Sequence, residues 1–203
     1  ILVTLLYLSY RFEAGLGCWL WVAPLCLSLN RTFCAWSTGG LETQLFSFLV
    51  FIALACHVRE QTNNSARPWL SSLLMGLATL TRPEGGLFFA VSAILFSWEA
   101  LVRKRRSLSA LVQWLAVYAA IVGAHVLWRY EYYGFLLPNT FYAKVSGLWW
   151  EQSRHYLGLF IKEHLLFLWA PLCLVFVRHH SFLIYRLFLA CVCVFTAYCI
   201  YIG

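Results

Sequence analysis

The stretch LSALVQWLAVYAAIVGAHVLW, residues Leu108–Trp128, contains no Asp, Glu, Lys or Arg. Roughly 20 apolar residues allow an α-helix to cross a bilayer, so this stretch predicts a transmembrane helix. The whole chain of 203 residues agrees with this, because 62% of it is apolar, 18% is aromatic and only 11% is charged. Such a composition is typical of a polytopic membrane protein and not of a soluble domain.

Apolar stretches on both sides of this segment predict an all-α, polytopic bundle of transmembrane helices. The further candidate spans are a truncated Ile1–Ser9 and about Leu16–Leu29, Leu41–His57, Trp69–Leu80, Gly86–Val102, Leu165–Val177 and Ser181–Tyr201. Trp69–Leu80 and Leu165–Val177 are short for a span, and we expect broken, tilted or re-entrant helices there. We interpret residues 1–203 as one transmembrane core and expect it to be a segment of a longer chain.

Four consecutive basic residues, Arg103–Arg106, precede the Leu108–Trp128 stretch. Because Lys and Arg concentrate in cytoplasmic loops, this cluster predicts a cytoplasmic loop. Counting spans away from the cluster places four more arginines on the same side: Arg11, Arg59, Arg67 and Arg178. Membrane topology thus explains the net charge of +7, and we expect a lipid bilayer, not a nucleic acid, as the partner of these residues.

Three turn-rich stretches fall on the opposite, outer side: STGGLE at Ser37–Glu42, TRPEGG at Thr81–Gly86 and YYGFLLPNTFYAK at Tyr132–Lys144. In the last of these, Gly134 and Pro138 are expected to interrupt helical structure, since Gly frees the backbone and Pro fixes φ. The loops on the basic side, such as REQTNNSARP, are short and polar by comparison. We therefore expect one face of the bundle to carry the polar chemistry.

The outer loop, about residues 129–164, contains the segment VSGLWWEQSRHYLGLFIKEH. Its mixture of aromatic, aliphatic and charged residues predicts an amphipathic helix that lies in the membrane interface. Such a helix serves either as a strut at the membrane surface or as one wall of a lipid-facing groove.

The candidates for acid–base chemistry are two glutamates beside the outer turns. Ser37 or Thr38 is predicted to cap the helix whose first turn holds Glu42, and the alternative is that Glu42 acts as a base lining a cavity. Glu84 lies close to the start of the next helix, where Arg82 either pairs with it or binds a phosphate. The chain contains no Asp, so any general base within it is Glu or His.

The segment YYGFLLPNTFYAK supplies candidate binding groups. Lys144 is a cation suited to phosphate, Asn139 both donates and accepts hydrogen bonds, and Tyr133 and Tyr142 offer stacking surfaces. The alternative is an aromatic belt with a snorkelling lysine, which would not require Gly134 or Pro138.

Neither the cysteines nor the histidines show the spacing of metal ligands. The eight cysteines fall mostly inside apolar stretches, where we predict that they are small buried hydrophobic residues. We therefore assign no metal site, and no cofactor follows from the residues, although the need for a divalent metal stays open.

Three segments taken in order, STGGLET, LTRPEGGLFF and WRYEYYGFLLPNTFYAK, resemble motifs of bacterial GT-C membrane glycosyltransferases. Among these enzymes, the chain is most similar to the mycobacterial terminal arabinofuranosyltransferase-like proteins, over roughly residues 31–147. The resemblance implies a GT-C helical bundle in the bacterial inner (plasma) membrane. Such an enzyme moves a sugar, with arabinofuranose as one candidate, from a polyprenyl-phosphate donor to a cell-envelope glycan on the outer, periplasmic face.

The resemblance also implies roles for residues of this chain. The implied substrate-binding residues are Arg82, Lys144, Asn139, Tyr133 and Tyr142, and the implied catalytic residues are Glu42 and Glu84. These enzymes usually carry an acidic residue in their first outer loop, which here would precede Ile1. Two other functions stay open: a non-catalytic relative that serves as an accessory membrane component, and a transporter, which broken spans would also suit.

Overall fold

The computed structural model describes residues 22–39, 42–62, 68–136, 150–163 and 182–202, and every regular element in these ranges is a helix. The helices are α1 Val22–Leu29, α2 Arg31–Thr38, α3 Thr43–Thr62, α4 Trp69–Thr81, α5 Gly85–Ser97, α6 Leu108–Tyr133, α7 Trp150–Glu163 and α8 Phe182–Ile202. A π-helical turn, Trp98–Val102, extends α5. The predicted all-α class is therefore confirmed for the part of the chain that the structure describes.

Within the described ranges, three helices are long and apolar enough to cross a membrane: Thr43–Thr62, Leu108–Tyr133, and α5 with its π-helical turn, Gly85–Val102. The predicted shortness of the Trp69–Leu80 span is also confirmed, because α4 has 13 residues and ends at Thr81. The predicted spans Ile1–Ser9 and Leu165–Val177 lie outside the described residues.

The ends of α6 follow from two local signals. Ser107 precedes the helix, and its hydroxyl accepts a hydrogen bond from the Ser109 N–H over 3.2 Å. Gly134 follows the helix with φ of 73°, a left-handed conformation that glycine adopts without a steric penalty. Gly134 is thus confirmed as a helix stop. The helix continues through Arg129 to Tyr133, so the first residues of the region assigned to the outer loop are helical.

The short helix α4 is the centre of the packing. It contacts α3, α5 and α6. Its buried residues include Ser71, Ser72 and Gly76, which are small enough to let neighbouring helices approach closely. The surrounding core contains Met75 and Trp114, both almost fully buried. By contrast, most apolar side chains in the second half of α6 face outward, where a bilayer would surround them.

The bundle has two chemically different ends. At the motif end, which holds Glu42, Arg82 and Glu84, α3 begins, α4 ends, α5 begins and α8 ends. At the basic end, α3 ends near Arg59, and Arg103–Arg106 join α5 to α6. The predicted segregation of the polar turns from the basic loops is therefore present among the described residues.

The helix predicted in the outer loop is present as α7, Trp150–Glu163. Its Ser153 is buried against α8 and donates a hydrogen bond from its hydroxyl to the Ile200 carbonyl over 2.7 Å. Its large apolar side chains, among them Trp150, Tyr156 and Phe160, are exposed. The placement of α7 in a membrane interface stays a prediction.

Candidate functional site

The turn between α4 and α5 consists of three residues, Arg82, Pro83 and Glu84. Arg82 is extended, with φ of −146° and ψ of 133°, as expected for a residue that precedes proline. The Arg82 carbonyl accepts a hydrogen bond from the Gly85 N–H over 2.9 Å, and the Glu84 carbonyl accepts one from the Leu87 N–H over 3.0 Å. These bonds start α5 directly after the turn and leave both charged side chains on the same short segment.

Gly85 brings the two helices unusually close together. A Cβ atom at this position would lie 2.6 Å from the Thr79 backbone nitrogen, a distance that real Cβ atoms do not tolerate. Because the obstacle is backbone and not a flexible side chain, only glycine fits here without a shift of α4 or α5. The Arg82–Glu84 turn is consequently held by backbone contact.

Arg82 and Glu84 form the ion pair that was one of the two sequence-based alternatives. The Arg82 Nη2 atom lies 3.4 Å from Glu84 Oε1, and the two side chains are 35% and 16% exposed. The guanidinium also lies over the Phe46 ring, with Cζ 5.7 Å from the ring centroid. This cation–π contact anchors Arg82 to α3, so three helices determine its position.

The second carboxylate oxygen of Glu84 has no hydrogen-bond partner. Glu84 Oε2 is buried and makes no hydrogen bond of ordinary geometry within the described ranges. The Tyr198 hydroxyl of α8 is close enough for a weak hydrogen bond to the Glu84 carboxylate, and Cys199 interacts with that carboxylate electrostatically. A buried acceptor without a partner costs roughly 1–3 kcal/mol, so it is a natural position for a donor group from a ligand.

The depth of this turn follows from the helix lengths. At 1.5 Å per residue, the 13 residues of α4 rise roughly 20 Å, whereas the 26 residues of α6 rise roughly 39 Å. The hydrocarbon core of a bilayer is roughly 30 Å thick. If α4 starts near one surface, the Arg82–Glu84 turn therefore lies below the other, where ionisable residues are rare and generally functional.

Glu42 stands at the motif end but is not capped in the predicted way. It is exposed and immediately precedes α3, where its carbonyl accepts a hydrogen bond from the Phe46 N–H over 2.9 Å. Ser37 and Thr38 belong to the last turn of α2, and their hydroxyls donate to the Phe33 and Ala35 carbonyls. The predicted cap is therefore wrong, because these hydroxyls bond within their own helix.

Tyr133 lies apart from the Arg82–Glu84 turn. Tyr118 of α6 is level with the start of α5, since its hydroxyl would be 3.4 Å from a Cβ at Gly86. Tyr133 follows 15 residues later, roughly 22 Å further along the helix axis. It is half-exposed and packs with Trp128 and Tyr132 in an aromatic cluster at the end of α6.

The other predicted binding residues, Asn139, Tyr142 and Lys144, lie outside the described residues.

The basic end contains a buried polar network that the sequence analysis missed. Glu60 accepts hydrogen bonds from both the backbone N–H (3.0 Å) and the hydroxyl of Ser71. The Ser71 hydroxyl accepts in turn from Trp114 Nε1 over 2.8 Å, and the Ser72 hydroxyl donates to the Trp114 carbonyl. The expectation of an ordinary polar loop beginning at Arg59 is wrong, since α3 continues to Thr62 and buries Glu60.

His57 lies beside this network, and its ring packs against Phe96 and Trp114. Its Nδ1 atom is buried without a hydrogen-bond partner in the described ranges. Over the same ranges, no three His, Cys or Glu side chains come together as metal ligands would.

Comparisons of this chain with protein-family models, with curated proteins and with solved structures give no match.

Proposed function

We propose that this protein is a membrane glycosyltransferase that uses a polyprenyl-phosphate sugar donor. The observation that supports the proposal most directly is the Arg82–Glu84 turn, which presents a guanidinium beside a buried carboxylate oxygen that lacks a donor. A lipid-linked phosphosugar carries the complementary groups: phosphate oxygens for the cation and sugar hydroxyls for the carboxylate.

The proposed reaction is nucleophilic substitution at the anomeric carbon of the donor sugar. An acceptor hydroxyl forms the new glycosidic bond, and the bond from that carbon to the phosphate oxygen breaks, so that the polyprenyl phosphate leaves with the bonding electrons. Arg82 stabilises the negative charge of this leaving group through charge-assisted hydrogen bonds, which its planar guanidinium is suited to make. Lys144 is proposed as the second cation at the phosphate.

The carboxylates are assigned to the sugars. Glu84 Oε2 accepts a hydrogen bond from a hydroxyl of the donor sugar, which would satisfy the buried oxygen. Glu42, exposed at the same end, is proposed as the general base that removes the proton of the acceptor hydroxyl. Asn139 and Tyr142 are proposed to line the sugar site, and Tyr133, which lies roughly 22 Å along α6 from Tyr118, is assigned to its acceptor side.

The proposed orientation places the basic end in the cytoplasm and the motif end on the outer face of a bacterial inner membrane. Arg59 and the Arg103–Arg106 cluster lie at one end, and the positive-inside rule assigns that end to the cytoplasm. The donor phosphate would then be bound from the outer leaflet, and the acceptor would be a cell-envelope glycan, with arabinofuranose as one candidate for the sugar.

A non-catalytic accessory membrane protein is the alternative from a different class, and a transporter is the third. An accessory protein could retain the phosphate site but would transfer no sugar. A transporter would bind its cargo near the middle of the membrane without breaking a glycosidic bond.

The test is the binding of a short-chain polyprenyl-phosphate sugar to the full chain in detergent, followed by an assay for sugar transfer. Arg82→Ala should weaken binding roughly 10- to 100-fold, since a hydrogen bond to a charged group contributes roughly 1.5–3 kcal/mol. Lys144→Ala should weaken it as well. Arg154→Ala, which removes an exposed arginine of α7, is the matched control and should bind as the wild type does.

Binding without transfer by the wild type would favour the accessory protein. Equal binding by wild type, Arg82→Ala and Lys144→Ala would contradict the phosphate site. For a transporter, labelled donor would cross the membrane of proteoliposomes with its glycosidic bond intact.

A further inference from the structure

The connection between α5 and α6 is a structured turn and not a flexible loop. The Arg103 N–H donates to the Trp98 carbonyl over 3.1 Å, and the Arg105 N–H donates to the Glu99 carbonyl over 3.0 Å. Between them, Lys104 adopts φ of 50°, in the left-handed region that residues other than glycine rarely occupy. The backbone therefore determines in which direction the four basic side chains leave the turn.

The four cations of this turn are not equivalent. Arg103 Nη1 forms an ion pair with Glu99 Oε1 over 3.2 Å, which partly neutralises its charge. Arg106 is half-buried and already engaged in an interaction, and burial lowers the pKa of its guanidinium while Glu99 raises it. Lys104 and Arg105 are both exposed. Two adjacent cations are thus presented to the surroundings.

The depth of this turn is set by the helices on either side. The apolar helix Gly85–Val102 ends one residue before Arg103, and α6 begins at Leu108. Large apolar side chains flank the cations and are more than half exposed: Leu101 and Val102 at 57% each, and Leu108 at 55%. In a bilayer these side chains would contact acyl chains, and Lys104 and Arg105 would lie at the level of the lipid phosphates.

We propose that Lys104 and Arg105 form a binding surface for the phosphate of an anionic phospholipid. The exposed apolar side chains beside them favour a lipid over a free phosphate ion, because a lipid supplies both the negative headgroup and the acyl chains that cover Leu101, Val102 and Leu108. The surface is independent of the proposed transferase site, which is at the opposite end of the bundle.

The test is native mass spectrometry of the full chain in detergent, with phosphatidylglycerol or phosphatidylcholine of identical acyl chains added in turn. The double variant Lys104→Gln/Arg105→Gln should bind phosphatidylglycerol roughly 30-fold more weakly than the wild type, and phosphatidylcholine equally well. Glutamine retains most of the side-chain length and has a Cβ like lysine, so the backbone strain at residue 104 is preserved.

The control is Arg154→Gln/Lys162→Gln, which removes the same charge from two exposed residues of α7 and should leave phosphatidylglycerol binding unchanged. Equal loss in both double variants would overturn the proposal, because net charge alone would then explain the binding. So would equal binding of phosphatidylglycerol by the wild type and Lys104→Gln/Arg105→Gln, or complete displacement of the lipid by inorganic phosphate at millimolar concentration.

Discussion

Glu60 at the basic end and Glu84 at the motif end are both mostly buried, but their carboxylates are hydrogen-bonded differently. At the basic end, Glu60 accepts two hydrogen bonds from Ser71, and Trp114 donates to the same serine. At the motif end, Glu84 has a single 3.4 Å contact with Arg82, and its other oxygen is unpaired in the described ranges. Uncharged donors of α4 supply Glu60, and Trp114 of α6 donates to the Ser71 hydroxyl, whereas no described donor makes an ordinary hydrogen bond to Glu84 Oε2.

On the proposed function, this difference separates a structural carboxylate, Glu60, from one that binds substrate, Glu84. A network whose members are all hydrogen-bonded rigidifies the helices that contribute to it. A buried acceptor without a donor raises the free energy of the unliganded protein, and a ligand that supplies the donor recovers that energy. Glu60 and Glu84 are both mostly buried, so the number of hydrogen bonds that each carboxylate accepts distinguishes them better than burial does.

The largest change in the free energy of unfolding is expected where a tryptophan is removed from the core beside the Glu60 network. Trp114→Ala should lower the free energy of unfolding by about 4 kcal/mol, since it opens a cavity in the core and removes the donor to Ser71. Trp128→Ala changes the same residue type on the same helix, but at 56% exposure, and should lower it by less than about 1 kcal/mol. Unfolding in mixed micelles with increasing denaturing detergent, followed by circular dichroism, measures both. Similar values for the two variants would contradict the assignment of Trp114 to the core.

Ser71→Ala tests the satisfied network directly. It removes one hydrogen bond from Glu60 and leaves the Trp114 N–H without its acceptor, so we expect a loss of about 3 kcal/mol in the free energy of unfolding. Arg82→Ala should lower the same quantity by less than about 1 kcal/mol, because the ion pair at the motif end is long and partly exposed. If Arg82→Ala proved the more destabilising change, the roles assigned to the two ends would have to be exchanged.

Gly85→Ala tests whether backbone contact holds the motif end. Its Cβ would meet the Thr79 backbone, and such overpacking lowers the free energy of unfolding by about 2 kcal/mol. Gly123→Ala in α6 is the control, since no atom lies within 4 Å of the added Cβ and alanine favours a helix by up to about 1 kcal/mol. In the same unfolding titration, the free energy of unfolding should therefore fall for Gly85→Ala and rise for Gly123→Ala. A neutral Gly85→Ala would show that α4 and α5 can separate here.

Local signals in the sequence were sufficient for much of this fold. The length of the apolar stretches predicted the long helices and the short α4, and Gly134 predicted the end of α6. The Arg82–Glu84 ion pair could also be predicted from the sequence, because only Pro83 separates the two residues and proline restricts the backbone between them.

The features that depend on distant contacts could not be predicted in this way. Glu60 appears in a polar sequence, and its partners Ser71 and Trp114 come from two other helices. Phe46 lies under Arg82 only because α3 and α4 are antiparallel neighbours. One signal was available: an ionisable residue at the end of an apolar stretch, as Glu60 is, indicates a partner inside the protein.

The contact at Gly85 has a mechanical consequence for the protein. It joins the last turn of α4 to the first turn of α5 through backbone atoms, and backbone atoms cannot rotate out of the way as side chains do. We therefore expect the end of α4 and the start of α5 to move together, which keeps the backbone positions of Arg82 and Glu84 fixed relative to each other. On the proposed function, an opening that admits a lipid-linked ligand would occur between the α4–α5 turn and its neighbouring helices, and not between α4 and α5.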